Sequence, residues 1–345
     1  MATSRRQIIR QIESLEPEIR NAFLSSISDI VSEAEVQRLT GFLLSGDIQS
    51  FIDALNLDES VFRDVDLAIA AAYLAGGQFG VDELPVIRRA NGVRAVIRFD
   101  VRNPRADAWL RQFSSGYITN ITQAQRSQIQ QVLNLSAQLG RNPRQTALDI
   151  IGRINRVTGR REGGLIGLTS QQQQYVINTR RQLASGDPEQ LRRYFDRTLR
   201  DRRFDGIVNR AITNGRAVNQ SDIDRIVARY SDRLLRSRGE AIARTETLAA
   251  FNAANDEAFE QAIDTGEVRR DLVIGTWQDS GRNNVRESHK ALNGQQQPLG
   301  QPFVSPVTGA SLLRPGDTSL GAGAEDVANC ACIKRNRIDF IAQAV

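Results

Sequence analysis

Apolar positions recur every three to four residues through most of this 345-residue chain, and that period predicts helices. Ile8, Ile9 and Ile12 make a stripe that Ser4 is placed to cap, over residues 5–14. Pro17 stands where the first turn of a new helix accepts it, and Ile19, Phe23, Leu24, Ile27 and Ile30 follow at the same spacing. Ser32 and Glu35 have the spacing of a capping box ahead of Val36, Leu39, Phe42 and Leu43. Phe51, Leu55 and the apolar run 62–74 continue the pattern as far as Gly76-Gly77.

The period changes at residues 93–102. There Ala95, Ile97, Phe99 and Val101 alternate with Arg94, Arg98, Asp100 and Arg102, which predicts a strand ended by Asn103-Pro104. Residues 106–262 return to the helical period, with breaks at 140–143, 159–167, 185–188 and 214–215. Asp187-Pro188-Glu189 is a helix start, with Pro in the first turn and an acid beside it. Past Gly266 the texture shifts again: residues 272–277 read as a strand, 283–291 as a short helix, and 294–328 as a Gly/Pro/Ser-rich loop region. The chain thus reads as mainly α. An acidic helical N-terminal region spans 1–90, an Arg-rich and mostly helical middle region 91–266, and a small, irregular α+β module 267–345.

Composition sharpens this picture in three ways. Aromatics are only 6% of residues, so the core must rest on Leu, Ile, Val and Ala, which suits helices better than sandwiches. No apolar run approaches the ~18 residues of a membrane span, and the first residues lack the apolar stretch of a signal peptide. No membrane anchor is therefore expected, and two cysteines are too few for a disulfide framework. Charge is uneven: residues 1–60 hold 5 Arg against 10 acids, whereas 141–240 hold 21 Arg against 11 acids. Arg192, Arg193, Arg197, Arg200 and Arg203 follow Pro188 on what reads as one helix. They form either a salt-bridged, solvated face or a surface for DNA or an acidic partner. Only Lys290 and Lys334 are lysines, and such a bias across a whole chain also follows from base composition.

The chemistry-bearing residues cluster near the C-terminus. His289 is the only histidine and Cys330 and Cys332 the only cysteines, all within 44 residues. Two thiolates and one imidazole suit Zn²⁺, with Asp317 or Asp279 as a fourth ligand. The same residues also read as two small buried side chains and a structural histidine. Arg244 and Glu246 lie mid-helix two residues apart, so their partners must come from elsewhere in the fold. No nucleophile with a matched base, no H-E-x-x-H and no phosphate loop is present, and an enzyme is not expected.

In order, Arg244-Thr245-Glu246, Trp277, Asp279, Arg286, His289, Gly294, Asp317, Asn329 and the C-x-C pair make a pattern that resembles the Mu F-like phage head morphogenesis (minor head protein) family. The resemblance covers about residues 200–345. Asn293, Ala331 and Val327 depart from it, standing where the family commonly has Asp, Arg and His. What the resemblance implies is a non-enzymatic bacteriophage virion component, made in the host cytoplasm and lying inside the head or near the portal. Its partners would be the portal or major capsid protein and packaged double-stranded DNA bound without sequence preference, with roles in DNA packaging or ejection. Two other readings stay open: a metal-dependent hydrolase or toxin-like transferase using the C-terminal module, and a nonspecific DNA-binding accessory factor.

Overall fold

The computed structural model describes residues 3–89 and 91–340. In chain order the elements are α1 (Arg5–Glu33), α2 (Val36–Leu44), α3 (Ile48–Asp53), α4 (Arg63–Glu83), α5 (Pro104–Gln138), α6 (Pro143–Ile151), β1 (Arg153–Ile154), β2 (Arg161–Glu162), α7 (Ser170–Ala184), α8 (Pro188–Arg192), α9 (Asp205–Thr213), α10 (Gln220–Asp264), β3 (Val273–Gln278), α11 (Glu287–Leu292), β4 (Gln296–Pro298), β5 (Phe303–Val304), β6 (Ser311–Leu312), α12 (Ala324–Val327) and β7 (Ile333–Ile338). The protein is mainly α, and its small sheets are concentrated toward the C-terminus. No helix among the described residues is long and apolar enough to cross a membrane.

The chain forms two compact units, each discontinuous in sequence. One takes residues 1–22, 64–116 and 240–345, and the other 23–63 and 117–239. Their boundaries fall partly inside α1, α5 and α10, unlike the three consecutive stretches read from composition.

The first unit is built on the C-terminal half of α10. Ala249, Ala250, Ala253, Ala254 and Ala258 are all buried there, so the helix is enclosed on every side and neighbours approach its backbone closely. Gly76 of α4 takes advantage of this. A Cβ at that position would sit 2.7 Å from the Phe251 Cα, so glycine here serves close packing and does not end the helix, and α4 continues through Gly76-Gly77. β3 is central in an antiparallel sheet of order β4-β3-β7, with Trp277 opposite Lys334. Ile8, Ile12, Phe79, Leu248, Phe251 and Trp277 share one core with Cys330, Cys332 and Ile333.

In the second unit the loop between β2 and α7 carries Gly163, Gly164 and Gly167, each at positive φ. A side chain at Gly164 would meet the Ile150 carbonyl oxygen at 2.7 Å. Gln125 pins the loop by accepting from the Gly167 N–H and donating to the Leu168 carbonyl, both at 2.8 Å. Asp232 accepts from the Gly163 N–H at 2.7 Å, and burial pushes its carboxyl up to about 6.

Several local expectations are corrected. Pro17 starts no new helix: α1 runs unbroken through it. Ser32 and Glu35 make no capping box, since Glu35 caps α2 without a side-chain bond and Ser32 donates to the Asp29 carbonyl. A complete box forms instead at Thr169 and Gln172, ahead of α7. Residues 93–102 are extended but make no strand, only an isolated bridge between Arg88 and Arg94. The first of them pair with the backbone of 87–89, Ala95 N–H to the Ile87 carbonyl and Arg89 N–H to the Val93 carbonyl, both at 2.9 Å. Farther on, Asp100 and Gln261 exchange a reciprocal pair, 2.8 Å from the Asp100 N–H and 2.9 Å to its carbonyl. The alternating Phe99 packs on Tyr73, at 5.8 Å between ring centroids. Finally, the arginines after Pro188 do not share a helix, because α8 stops at Arg192 and turns follow.

Candidate metal centre

Three elements bring the cluster together. β3 places Trp277 in the core, and α11 begins after Arg286, whose backbone carbonyl accepts from the His289 N–H at 3.1 Å. The segment between α12 and β7 carries Cys330 and Cys332. Asn329 sits at φ +54°, a left-handed turn that Asn tolerates better than most residues, and it reverses the chain just before the cysteines. α10 holds this turn: the Asn329 N–H donates to the Thr245 hydroxyl at 2.9 Å, and Arg244 Nη1 donates to the Asn329 side-chain oxygen at 3.4 Å. Arg286 donates to the Ala328 carbonyl from the other side.

The ligand atoms of His289, Cys330 and Cys332 lie within 4.8 Å of one another, and all three residues are buried. His289 Nδ1 is 3.3 Å from the Cys330 sulfur and 3.4 Å from the Cys332 sulfur. A zinc tetrahedron with ordinary Zn–S and Zn–N bonds has S···N edges of roughly 3.5 Å. The donor set and its spacing therefore fit Zn²⁺. A hydrogen bond from Cys332 holds the Cys330 thiol well below the usual range, with His289 adding to the effect. The same bond, with burial, pushes Cys332 up. A metal ion bound there would take the place of the thiol protons.

Three protein ligands leave one position of a tetrahedron open, as catalytic rather than structural zinc sites do. The cluster lines a cleft of about 220 Å³ whose other walls include Arg244, Arg282, Arg286 and Asn329. His289 Nε2 is buried without a hydrogen-bond partner, so the orienting contact that usually steadies a ligating imidazole is missing.

No family model, curated protein or solved structure matches this chain.

The structure therefore unites some of the residues singled out in the sequence and separates others. Arg244, Thr245, Arg286, His289, Asn329 and both cysteines meet. Trp277 lies edge-on to the His289 ring, at 5.3 Å and 72°. Gly294, at φ +82°, donates its N–H to the Trp277 carbonyl at 2.8 Å and so turns α11 back onto β3. Asp317 is not a ligand. It accepts from the Leu313 N–H and the Ser319 hydroxyl, both at 3.0 Å, and closes its own loop. Asp279 is likewise taken up, by the Gly281 N–H at 2.9 Å and Arg5 at 3.2 Å. Glu246 keeps some accessible surface, yet burial pushes its carboxyl up to about 8.

Sequence reasoning missed the polar seam that holds β7 on α10. Asn252 accepts from the Lys334 N–H at 3.0 Å, and Asn255 donates to the Lys334 carbonyl at 2.9 Å. Lys334 Nζ, with no exposed side-chain surface, reaches Asp256 at 3.0 Å, and Asn336 donates to the other Asp256 oxygen at 2.8 Å. Lys334 also lies over the Phe303 ring, at 6.0 Å. A signal did exist: Lys334 is one of only two lysines in an arginine-rich chain.

The expected DNA-facing arginines divide as well. Arg192, Arg193 and Arg203 are exposed. Arg197 turns inward to the Gln182 side chain and the Arg193 carbonyl, and Arg200 forks onto Asp205 at 3.1 and 3.2 Å. Arg203 itself pairs with Asp201 at 2.6 Å, holding that carboxyl down at about 2.

Proposed function

We propose that this protein is a bacteriophage minor head protein that acts in head morphogenesis. On this reading it docks on the portal or the inner capsid and touches packaged double-stranded DNA without sequence preference. The single observation that carries the reading is convergence. Residues that resemble the head-morphogenesis pattern and lie up to 88 positions apart, from Arg244 to Cys332, line one cleft. A zinc ion held by His289, Cys330 and Cys332 would cross-link α11 to the segment before β7. The surplus of arginine over acids in 141–240 supplies phosphate contacts through its exposed members, Arg192 and Arg193.

Cosedimentation of the tagged chain with purified portal, procapsids and mature heads tests the proposal. Recovery with at least one of these particles is expected, and absence from all three would end it.

The open coordination position and the arginines around it favour a second reading, a metal-dependent hydrolase acting on an anionic substrate. Zinc would supply a Lewis acid or an activated water there. This chain's contribution would be to hold the anion with Arg244, Arg282 and Arg286. Two of the three are already engaged in the fold: Arg282 pairs with Glu13, and Arg286 caps the Ala328 carbonyl. Arg244 is held more loosely, by the Asn329 side chain at 3.4 Å and by Glu16 at 4.0 Å. Turnover of phosphoester or ester substrates that chelation abolishes would favour the hydrolase over the scaffold.

A further inference from the structure

The second unit contains a cavity of about 690 Å³ that none of the chemistry above uses. That size lies within the range of small-molecule sites, and the wall is chiefly apolar. Leu165, Val176 and Val227 are buried at its inner end, beside the half-buried Val132 and Ile177. Arg141, Arg181 and Leu139 are exposed at its mouth.

Two features point to a ligand. First, Thr146 is among the residues that line the cavity and is only 3% exposed, yet its hydroxyl oxygen has no hydrogen-bond partner. A buried hydroxyl left unpaired costs about 1–3 kcal/mol, so it calls for a polar group from outside the chain. Second, the charges do not balance. Asp149 is shared by Arg141 at 3.2 Å, Arg153 at 2.9 Å and Arg180 at 3.2 Å. Asp224 is shared by Arg153 at 3.5 Å and Arg180 at 2.5 Å. Three guanidiniums thus meet two carboxylates, and Arg181 adds a further positive charge at the rim. Glu162, the remaining acid on the wall, faces Arg229 at 3.6 Å and so does not cancel the excess.

We infer that this cavity binds a small anionic amphiphile, with its apolar body on the Leu165, Val176 and Val227 end and its carboxylate or similar head group among the arginines. The polarity of the cavity fixes the orientation. The buried aliphatic end offers dispersion contacts, whereas the uncompensated charge gathers around Asp149, one turn along α6 from Thr146, where a polar head group belongs.

Decanoate and its uncharged counterpart decanol, each below its aggregation limit, test this on the full chain by calorimetry and thermal unfolding. Decanoate is expected to saturate at one molecule per chain and raise the unfolding midpoint, with decanol at least tenfold weaker. Arg181→Gln, on the exposed rim, should narrow that gap severalfold. Ile177→Trp, which fills the space, should abolish binding of both ligands. Equal affinity for the two ligands would overturn the anionic assignment. No saturable binding of decanoate, or binding unchanged in both variants, would overturn the site itself. If Ile177→Trp does not fold, the Arg181→Gln comparison still decides.

Discussion

Asn329 hangs from Thr245: its backbone N–H donates to the Thr245 hydroxyl at 2.9 Å, across 84 residues of sequence. The threonine also donates to the Ala241 carbonyl one turn back in α10, at 2.8 Å, so the hydroxyl is fixed before it receives Asn329. The turn that presents Cys330 and Cys332 to His289 is thereby referenced to a helix rather than to a loop.

Thr245→Val keeps the shape and removes the acceptor. Because Asn329 is exposed and its N–H can turn to water, the expected cost is modest, about 1 kcal/mol in chemical denaturation. A larger consequence is expected in metal affinity, since the cysteines lose their reference point. Unchanged zinc affinity in this variant would show that the turn is set elsewhere.

Lys334 and Asp256 form the buried ion pair of the seam. Lys334→Met leaves Asp256 with Asn336 and with Arg314 at 3.5 Å, and is expected to cost about 3 kcal/mol. Adding Asp256→Asn should recover part of that loss, and a double-mutant cycle measures the coupling. Simple additivity would mean that the pair does not act as a unit.

Gly76→Ala and Gly41→Ala make a matched contrast. At Gly76 a methyl group meets the Phe251 backbone, which cannot yield, and a loss of more than about 3 kcal/mol is expected. At Gly41, inside α2, nothing lies within 4 Å, so alanine should stabilise by about 0.5–1 kcal/mol through helix propensity alone. Denaturation midpoints for the two variants should move in opposite directions.

Glu246 and Asp232 set a pH dependence of definite sign. Burial raises both carboxyls, to about 8 and about 6, above their ordinary values of 4.5 and 3.8. The folded state therefore holds protons that the unfolded chain releases, and stability falls as pH rises, from about pH 4 for Asp232 and from about pH 4.5 for Glu246. The loss from Asp232 is complete near pH 6 and that from Glu246 near pH 8. Glu246→Gln should remove most of the fall between pH 6 and 8, leaving the variant more stable than the parent at pH 8 by about 2 kcal/mol. A parent whose stability is flat between pH 5 and 8 would contradict this.

For DNA, the exposed and the inward-turned arginines should behave differently. Arg192→Gln with Arg193→Gln should leave the fold intact and reduce the slope of log K against log salt by about 2. Arg197→Gln should lower stability instead, because its guanidinium bonds Gln182 and lies over the Tyr230 ring at 5.9 Å. Filter binding across a salt series separates the two effects.

The helical character was legible because apolar spacing survives in sequence wherever one face is buried, as Ile8, Ile12 and Ile19 show. The strand at 273–278 was legible too, from its bounded apolar run. Residues 93–102 misled for a physical reason. Alternation reports that one side of an extended segment is covered, and says nothing of whether its N–H groups meet another strand or, as here, a single loop carbonyl at Ile87 and the side chain of Gln261. The boundary at Pro17 misled because an amphipathic stripe long enough to bury both sides of a proline can keep the helix going. Of the site, His289, Cys330 and Cys332 stand out by rarity, whereas nothing but residue type marks Asp317 as a ligand. Its loop had already used both oxygens. The seam of Asn252, Asn255, Asp256 and Asn336 was hidden because isolated polar residues carry no periodic signal, and only their pairing across about 80 positions gives them meaning.

Zinc content per chain is the most direct measurement of the proposed centre. The protein purified without chelator and dialysed against metal-free buffer should retain close to one zinc per chain by elemental analysis. Cys330→Ser with Cys332→Ser should retain almost none. A folded parent protein that carries no zinc, and takes up none when it is supplied, would contradict the account.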